Sequence, residues 1–378
     1  MKTGRAPRAS GLGIVEATNT SAAVTEPAVS LLLPELRSAF QGNEPSRINH
    51  GGASIPGLGL AAFEASRLVV RSSERLHFDE PFGEGLDRHT GVRAASALVQ
   101  LGTRQIIGQD DSNFAAVIHD GKIEGLRLFP NVAGDTYAPE RGNKAQKPDI
   151  ELGATFSLGG QETAVLFGSG STAARMRAAW IREVGGALVA ANGDITSLYT
   201  AAMKRLGIGP DVLNLEGCAP SGDKIVFFQR GNGAGGVNAS FAVKQKTLEA
   251  ALLEGRPIEA SDIREVRRYD LSRFEPEGLG FSDAAPLPDG RILFLAAAED
   301  SPNTFDDGAI LGSVLGVMDA DGNLSGVTRV PDGPDGPYKL EGLTVLGVEG
   351  GVARVMAVED ADDPAKASMR LVLDYALP

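Results

Sequence analysis

The chain has 378 residues, 42% of them hydrophobic and 22% charged, which is enough for one large hydrophobic core or two ordinary ones. This composition excludes a disordered or fibrous protein. The formal net charge of −13 disfavours nucleic acid and anionic membrane surfaces as partners, so we expect small molecules or cations instead.

Neither a membrane span nor a disulfide framework is expected. No stretch reaches the roughly 18 uninterrupted apolar residues that a membrane-spanning helix needs. The basic start of the chain leads to Glu16 rather than into an apolar signal-peptide segment. Cys218 is the single cysteine, which rules out a disulfide and a Cys-rich zinc site. The sequence therefore predicts a cytoplasmic protein in a reducing compartment.

The beginning of the chain differs in composition from the rest. Ala, Gly, Ser, Thr and Pro dominate there, and one short amphipathic segment, residues 29–40, has leucines at roughly helical spacing. We expect residues 1–62 to form an arm that is partly disordered, and residues 63–378 to form a single folded domain.

Five blocks in this domain repeat one pattern. Each block opens with a small or acidic residue on an apolar strand, turns, and runs into a second strand that ends in polar residues. The openings centre on Ser96, Glu151, Glu216, Asp283 and Glu341, at intervals of 55 to 67 residues. Each interval holds about four short strands, which is typical of a β-propeller blade. A coincidental run of hairpins in a β-sandwich is the alternative.

The last block offers only three strands, whereas an orphan strand at residues 67–71 precedes the first block. Pairing this strand with the C-terminal strand near residues 371–375 would close the ring and remove an open edge. Five blades are therefore favoured, and six are possible if residues 63–90 form a separate blade. Two insertions, residues 194–206 with Asp194 as N-cap and residues 244–254, are predicted to be short helices.

Propeller geometry places both polar sets at one rim of the channel, because the second strand runs antiparallel to the innermost one. Crowded carboxylates need a cation or raised pKa values. A hard divalent ion with oxygen ligands is the simplest solution, with Ca²⁺ favoured and Mg²⁺ or Mn²⁺ possible. Asp300 and Asp360 could equally cap turns in solvent. The predicted metal ligands are Glu151, Glu216, Asp283, Glu341, Asp111, Asp300 and Asp360.

Cationic and polar residues occur at the same rim and predict a site for an anionic substrate group. Arg230 and Lys339 could alternatively do no more than balance neighbouring acids. The candidate catalytic residues are Glu216, Glu341, Asp283 and His89, the last as a base just before the first block. The candidate substrate-binding residues are Arg230, Asn232, Lys339, Lys147 and Ser169.

Several of these segments resemble the recurring signatures of an uncharacterised family of bacterial β-propeller proteins, over about residues 90–375. The segments are Asn214-Leu215-Glu216-Gly217, Gln229-Arg230-Gly231-Asn232, Phe281-Ser282-Asp283-Ala284-Ala285, Lys339-Leu340-Glu341-Gly342 and Asp360-Ala361-Asp362-Asp363-Pro364. More distantly, the Glu-Gly openings at Glu216 and Glu341 resemble those of the esterase-like phytase and the gluconolactonase or senescence-marker propellers. That resemblance implies that the two glutamates help to hold a divalent metal, and it transfers no catalytic set.

These observations favour a metal-dependent hydrolase acting on a small ester, lactone or phosphoester at the channel mouth. A lyase that uses a rim carboxylate as base on a small hydroxylated compound fits the same residues. A non-catalytic propeller, whose cation stiffens the ring while its faces bind a protein partner, is the third hypothesis. The sequence does not indicate an oligomeric state.

Overall fold

The computed structural model describes residues 15–16, 67–79, 89–231, 236–300, 309–360, 363 and 365–378. Two strands precede the repeats: β1 (Val15–Glu16) and β2 (Leu68–Arg75). Apart from β1, the predicted arm lies outside the described residues, and so does the amphipathic segment at residues 29–40. No helix in the described part of the chain is both long and apolar enough to cross a membrane.

The repeats form five antiparallel sheets of four or five strands each. Blade 1 consists of β3 (Ala95–Leu101), β4 (Arg104–Gln109), β5 (Phe114–His119) and β6 (Lys122–Arg127). Blade 2 consists of β7 (Ile150–Leu158), β8 (Gln161–Gly168), β9 (Arg177–Val184) and β10 (Ala187–Asp194), with β1 added at its outer edge. Blade 3 consists of β11 (Leu215–Ser221), β12 (Lys224–Gln229), β13 (Asn238–Lys244) and β14 (Arg264–Tyr269).

The last two blades complete the ring. Blade 4 consists of β15 (Leu279–Pro286), β16 (Ile292–Asp300), β17 (Ala309–Met318) and β18 (Leu324–Arg329). Blade 5 consists of β19 (Leu340–Glu349), β20 (Val352–Glu359), β21 (Met369–Ala376) and β2. The innermost strands β3, β7, β11, β15 and β19 each pack against the innermost strand of the next blade, and β19 packs against β3. The protein is thus a five-bladed β-propeller, as the repeat predicts.

Closure of the ring also follows the prediction. Strand β2 pairs antiparallel with β21, with Leu68 opposite Tyr375 and Val70 opposite Leu373. The N-terminal strand therefore completes the blade that the C-terminal strands begin, and the sheet of blade 5 gains its fourth strand from the far end of the chain.

Both predicted helices are present. Helix α1 spans Thr196–Leu206, and helix α2 spans Gln245–Glu254. The N-cap of α1 is Ile195 and not the predicted Asp194, although the Asp194 carboxylate accepts hydrogen bonds from the backbone N–H and the hydroxyl of Thr196, the first helical residue. Short 3-10 turns occur at Pro139–Arg141, Lys144–Gln146 and Ala173–Arg175.

The hydrophobic core is divided into five clusters, one at each contact between neighbouring blades. Between blades 2 and 3, the rings of Phe167 and Phe227 meet edge to face with centroids 5.6 Å apart. Between blades 3 and 4, Phe228 meets Phe281 in the same way at 5.1 Å. Since each blade is held by apolar contacts on both faces, the starts of the inner strands occupy fixed positions around the channel.

Candidate functional site

Each inner strand carries a β-bulge near its start. The bulged residues are Ser96, Glu151, Glu216, Ser282 and Glu341. A bulge adds one unpaired residue to a strand and re-aims its side chain. All five residues are buried. One repeated position therefore supplies three glutamates and two serines to the same end of the channel, which we call the acidic mouth.

Blade 4 departs from the predicted alignment. The pattern of an acid on an apolar strand selects Asp283, but the structure places Ser282 at the bulge. Ser282 donates to the Leu340 carbonyl at 2.8 Å, just as Ser96 donates to the Ile150 carbonyl at 2.7 Å. Asp283 follows the bulge, and its carboxylate accepts the backbone N–H groups of Ala284 and Leu343, each at 2.7 Å. Asp283 thus fastens blade 4 to blade 5, and burial raises its pKa well above the usual range.

The second strands end beside the starts of the inner strands, as the propeller geometry predicts. In four blades the residue directly after the second strand donates its backbone N–H to the carbonyl of the residue that precedes the inner strand. The bonds are Asp110 to Ala94 (3.0 Å), Ser169 to Asp149 (2.9 Å), Arg230 to Asn214 (2.8 Å) and Asp360 to Lys339 (3.1 Å). The polar ends of both strands consequently share the acidic mouth.

Blades 3, 4 and 5 contribute one network of buried ion pairs, the Arg230 cluster, which consists of Glu216, Arg230, Glu299, Lys339 and Glu341. Nη1 of Arg230 lies 3.3 Å from a carboxylate oxygen of Glu216 and 3.1 Å from one of Glu341. Nη2 of Arg230 lies 2.7 Å from Glu299. The Lys339 ammonium lies 3.0 Å from Glu299 and 3.2 Å from Glu341. Two cations therefore serve three carboxylates.

The carboxylates of this cluster differ in pKa. Burial raises the pKa of Glu216 to about 8, although Arg230 opposes the shift. Burial likewise raises the pKa of Glu341 to about 7 against the effect of Lys339. Burial also acts on Glu299, but Arg230 and Lys339 together hold its pKa below the usual value. Near neutral pH, Glu299 is ionised, whereas Glu216 and Glu341 are close to their titration midpoints.

Blades 1 and 2 contribute a second network, the Lys147 cluster, which consists of Asp110, Lys147, Asp149, Glu151 and Arg175. The Lys147 ammonium pairs with Asp110 and lies 2.6 Å from Asp149. Nη1 of Arg175 lies 2.9 Å from the other oxygen of Asp149. Among the described residues, no hydrogen bond or ion pair engages the Glu151 carboxylate, which is buried beside the two aspartates.

This second network contains the one group of carboxylates that the described residues offer for a metal ion. Ligand oxygens of Asp110, Asp149 and Glu151 lie within 4.8 Å of one another. Burial, with the like charges of Asp149 and Glu216, raises the pKa of Glu151 well above the usual range. Lys147 and Arg175 hold the pKa of Asp149 low despite its burial. The oxygen donors fit a hard cation, although the Lys147 ammonium already lies between the two aspartates.

Ser169 lies beside the Lys147 cluster and contacts Asp149. Its hydroxyl donates to the Asp149 carboxylate and lies 2.9 Å from the hydroxyl of Ser171, which in turn accepts from Arg175 at 2.8 Å. Ser169 is fully buried, so it orients Asp149 from within the protein. The hydroxyl of Tyr199 on α1 donates to the carbonyl of Gly168 at 2.6 Å and fixes the start of this turn.

His89 and Asp111 lie together at the edge of blade 1. Arg93 donates to Nε2 of His89 at 2.6 Å and pairs with Asp111 at 3.3 Å. Burial, followed by the negative charge of Asp110, raises the pKa of Asp111 to about 7. The negative charge of Asp360 raises the pKa values of both Asp111 and Glu341, and its backbone N–H donates to the carbonyl of Lys339.

Two predicted site residues are not described: Asn232 lies outside the described residues, and of Asp300 the structure describes only the backbone, which pairs with Ala309. The prediction of site residues omitted Asp149 and Arg175. Asp149, like Asn214 and Lys339, stands two places before a bulged glutamate, and this shared spacing is the signal that could have found it. Arg175 follows a glycine- and serine-rich turn and has no such signal.

Solved structures with similar architecture are distant in sequence. MPT-4, a mannose phosphorylase from Leishmania mexicana, is 11% identical with a TM-score of 0.41, covering 80% of this chain and 88% of that one. The PQQ-bound aldose sugar dehydrogenase from Streptomyces coelicolor is 10% identical with a TM-score of 0.39, covering 81% and 97%. Streptogramin B lyase is 10% identical with a TM-score of 0.35, covering 81% and 87%. No activity is carried over from them.

No curated protein matches the chain in sequence. Residues 91–374 match the family of unknown function DUF6929. The chain therefore belongs to this family, which agrees with the resemblance noted in its repeated segments.

Proposed function

We propose that this DUF6929 protein is a cation-dependent hydrolase that acts on a small ester, lactone or phosphoester at the acidic mouth of its channel. The observation that carries the proposal is the pair of buried glutamates that share one guanidinium nitrogen. Nη1 of Arg230 lies 3.3 Å from Glu216 and 3.1 Å from Glu341. Two carboxyl groups in one buried network, with pKa values near neutrality, are suited to act as acid and base.

The two carboxyl groups supply both roles. One glutamate, when ionised, accepts a proton from the attacking water, and the other, when protonated, gives its proton to the leaving oxygen. The water oxygen bonds to the carbonyl carbon or phosphorus while the bond to the leaving oxygen breaks. Hydrolysis thus consumes one water and leaves the pair to exchange its proton with solvent.

The two cations of the Arg230 cluster favour an anionic substrate. Arg230 and Lys339 are buried, and both face Glu299 and Glu341. When Glu216 and Glu341 carry protons, Arg230 and Lys339 face Glu299 as the one ionised acid of the cluster. Their surplus positive charge then attracts a carboxylate or phosphate and stabilises negative charge that develops on the substrate oxygen. Lys147 would act in the same way in the Lys147 cluster, where Ser169 would support the site by orienting Asp149.

A divalent cation completes the proposal. Asp110, Asp149 and Glu151 would hold Ca²⁺, Mg²⁺ or Mn²⁺ through their carboxylate oxygens. When bound, such an ion polarises a carbonyl or phosphoryl oxygen. The ion would also relieve the repulsion among the three acids, which together with burial raises the pKa of Glu151 well above its usual range.

Two other functions are supported by particular observations. The same glutamate pair, Glu216 and Glu341, suits a lyase, in which one carboxylate removes a proton from carbon and the other carboxyl group protonates the leaving hydroxyl. The ion pairs of Arg230 suit a non-catalytic propeller that binds a protein partner, because they connect blade 3 to Glu299 of blade 4 and to Glu341 of blade 5 and so stabilise the ring.

Substrate screening with matched variants tests the proposal. Esters, lactones and phosphoesters are screened with each divalent ion and after chelation, and the best substrate is then measured with Glu216→Gln and Glu341→Gln. We expect kcat to fall by about 10² to 10⁴, the usual contribution of a positioned acid or base. Glu183→Gln, which alters an exposed partner of Arg104, serves as the control. Parental turnover in both glutamine variants would overturn the acid–base pair, and an empty screen would favour the partner-binding propeller.

A further inference from the structure

Beyond the bulges, the inner strands present backbone groups to the channel. Each inner strand pairs with one other strand, the second strand of its own blade. In an antiparallel pair, every second residue turns both its N–H and its C=O away from the partner strand. For the inner strands this unpaired side faces the channel, so these residues can form hydrogen bonds with a molecule inside it.

Three hydrogen bonds identify such residues in blades 1, 4 and 5. The carbonyl of Gln100 accepts from the Thr155 hydroxyl of the neighbouring blade at 2.7 Å. The N–H groups of Ala284 and Leu343 donate to the Asp283 carboxylate, each at 2.7 Å. These backbone groups therefore point away from the second strands of their blades.

In blades 2 and 3 the turn at the end of the inner strand gives the same result. Each strand ends in a two-residue turn, which Leu158 closes with Gln161 and Ser221 closes with Lys224. Such a closing pair exchanges hydrogen bonds, so the alternation leaves the second and fourth residues after the bulge facing the channel. The same two positions form two rings around the channel in all five blades. The nearer ring consists of Leu98, Gly153, Cys218, Ala284 and Leu343, and the farther ring of Gln100, Thr155, Pro220, Pro286 and Val345.

The two rings surround one cavity. All ten of their residues line it, and its volume is about 310 Å³. At about 3.3 Å of rise per strand residue, the rings lie roughly 7 Å apart along the channel. A volume of this size corresponds to about ten water molecules, which is more than one bare ion fills. The cavity therefore has room for a small organic molecule that contacts both rings.

Carbonyl oxygens outnumber N–H groups in the rings. Pro220 and Pro286 have no N–H, and two further N–H groups are bonded to Asp283. Among the described side chains, one engages a carbonyl of the rings, that of Gln100. Glu162, exposed at the edge of the cavity, is the single charged residue among those that line it. The wall is therefore rich in hydrogen-bond acceptors and carries no positive side chain.

We propose that the two rings bind a small organic cation through a primary ammonium group. An ammonium group has three donors and no acceptor, so it complements a wall with surplus carbonyl oxygens. Hydrogen bonds from a charged donor are stronger than those from a neutral one. An anion would face carbonyl oxygens and Glu162 instead. The site is separate from the acidic mouth and does not depend on the hydrolase proposal.

Three probes with one propyl chain test the charge preference. Ligand-observed NMR at constant ionic strength gives the Kd of propylammonium, 1-propanol and butyrate, and a propylammonium soak locates the site in crystals. We expect propylammonium to bind about ten- to a hundredfold more tightly than 1-propanol, the worth of one charge-assisted hydrogen bond, and butyrate to bind most weakly. Equal binding of the three, density at the acidic mouth alone, or no binding of propylammonium would overturn the proposal. Displacement by an equal concentration of K⁺ would show a metal-ion site instead.

Substitution of the two prolines tests the surplus of acceptors. Pro220→Ala combined with Pro286→Ala adds two N–H groups to the farther ring and should weaken propylammonium binding by about tenfold. Pro139→Ala, at an exposed proline outside the cavity, should leave the Kd unchanged, and so should Glu216→Gln at the acidic mouth. If the double variant does not fold, Pro286→Ala alone should weaken binding by about threefold. A parental Kd in the proline variants, or a loss confined to Glu216→Gln, would overturn the proposal.

Discussion

The Arg230 cluster and the Lys147 cluster have the same charge but distribute it differently. Each sets two buried cations against three carboxylates. In the Arg230 cluster every carboxylate has an ion pair, and the excess negative charge is divided between Glu216 and Glu341. In the Lys147 cluster the two aspartates take both cations, and Glu151 has no ion pair within the described residues.

The comparison shows that the net charge of a buried cluster does not determine its chemistry. In the Arg230 cluster, Glu216 and Glu341 share the available cations. Both carboxyl groups titrate near neutral pH, with pKa values of about 8 and about 7, and can exchange protons. In the Lys147 cluster, Glu151 alone has no ion pair within the described residues, and its pKa rises well above the usual range. Glu151 then either keeps a proton or takes a cation, so the two clusters suit different tasks.

Removing Arg230 should have the largest effect. Arg230→Met leaves three buried carboxylates with Lys339 alone, and we expect the free energy of unfolding to fall by about 3 to 5 kcal/mol at pH 8. Urea unfolding measures this loss. Arg354→Met is the control, because that side chain is 55% exposed and its pair with Asp374 should contribute less than about 1 kcal/mol. Similar losses in the two variants would show that burial does not distinguish these ion pairs.

A divalent cation should stabilise the protein through the Lys147 cluster and not through the Arg230 cluster. An ion at about 100 times its Kd should stabilise the fold by roughly 2.7 kcal/mol. The melting temperature is compared after exhaustive chelation and after addition of Ca²⁺, Mg²⁺ or Mn²⁺. Glu151→Gln should remove the gain, whereas Glu299→Gln, in the other cluster, should retain it. An equal gain in both variants would place the ion elsewhere, and no gain with any ion would remove the metal from the proposal.

The dependence of stability on pH should follow the titration of Glu216 and Glu341 in the Arg230 cluster. Glu216 and Glu341 keep protons in the folded state that the unfolded chain releases above pH 4.5, because their folded pKa values are raised. The unfolded state then binds fewer protons, so the contribution of these two groups to stability falls as pH rises from about 4.5 towards 7 and 8. Each group contributes up to about 1.4 kcal/mol per pH unit in that window.

Urea unfolding at pH 5, 6, 7 and 8 measures this slope. Glu216→Gln should flatten it, since glutamine imitates the protonated acid without titrating. Asp149→Asn should not flatten it, because the pKa of Asp149 is lowered and its contribution is lost only at more acidic pH. A parental slope in Glu216→Gln would mean that Glu216 is ionised throughout this range.

The sequence predicts the propeller because repetition survives in it. Four intervals of similar length and one unpaired strand were enough to predict five blades and the pairing of β2 with β21. The alignment of blade 4 is different, because its acid stands one residue after the bulge that all five inner strands share, and a bulge leaves no mark in the pattern of apolar residues. The acid that stands out in the sequence, Asp283, is therefore a backbone acceptor, and the inconspicuous Ser282 occupies the rim.

The pairing of charges is the least predictable part. Glu216, Glu341 and Glu151 are recognisable because they interrupt apolar strands. Their partners are set by side chains that arrive from other blades, as when Arg230 contacts Glu341, 111 residues further along the chain. A count of acids and bases at the rim predicts crowding, but the clusters' different behaviour follows from which cation reaches which acid.

Substitution of the two bulged serines should have the smallest effect on stability, since they occupy the repeated position without adding a carboxylate to either cluster. Ser96 and Ser282 each donate to a carbonyl of the next blade, at 2.7 and 2.8 Å. Ser96→Ala and Ser282→Ala should each cost about 1 kcal/mol, the net worth of a buried hydrogen bond. The losses should add in the double variant, because blades 1 and 4 are not neighbours.

Unlike the glutamate variants, both serine variants should lose the same amount of stability at pH 5 and at pH 8. Ser272→Ala, at an exposed serine bonded to Asp270, should change stability by less than about 0.5 kcal/mol. A loss that grows with pH would show that the serines help to support the charged clusters, and the repeated position would then act as one electrostatic unit around the whole ring.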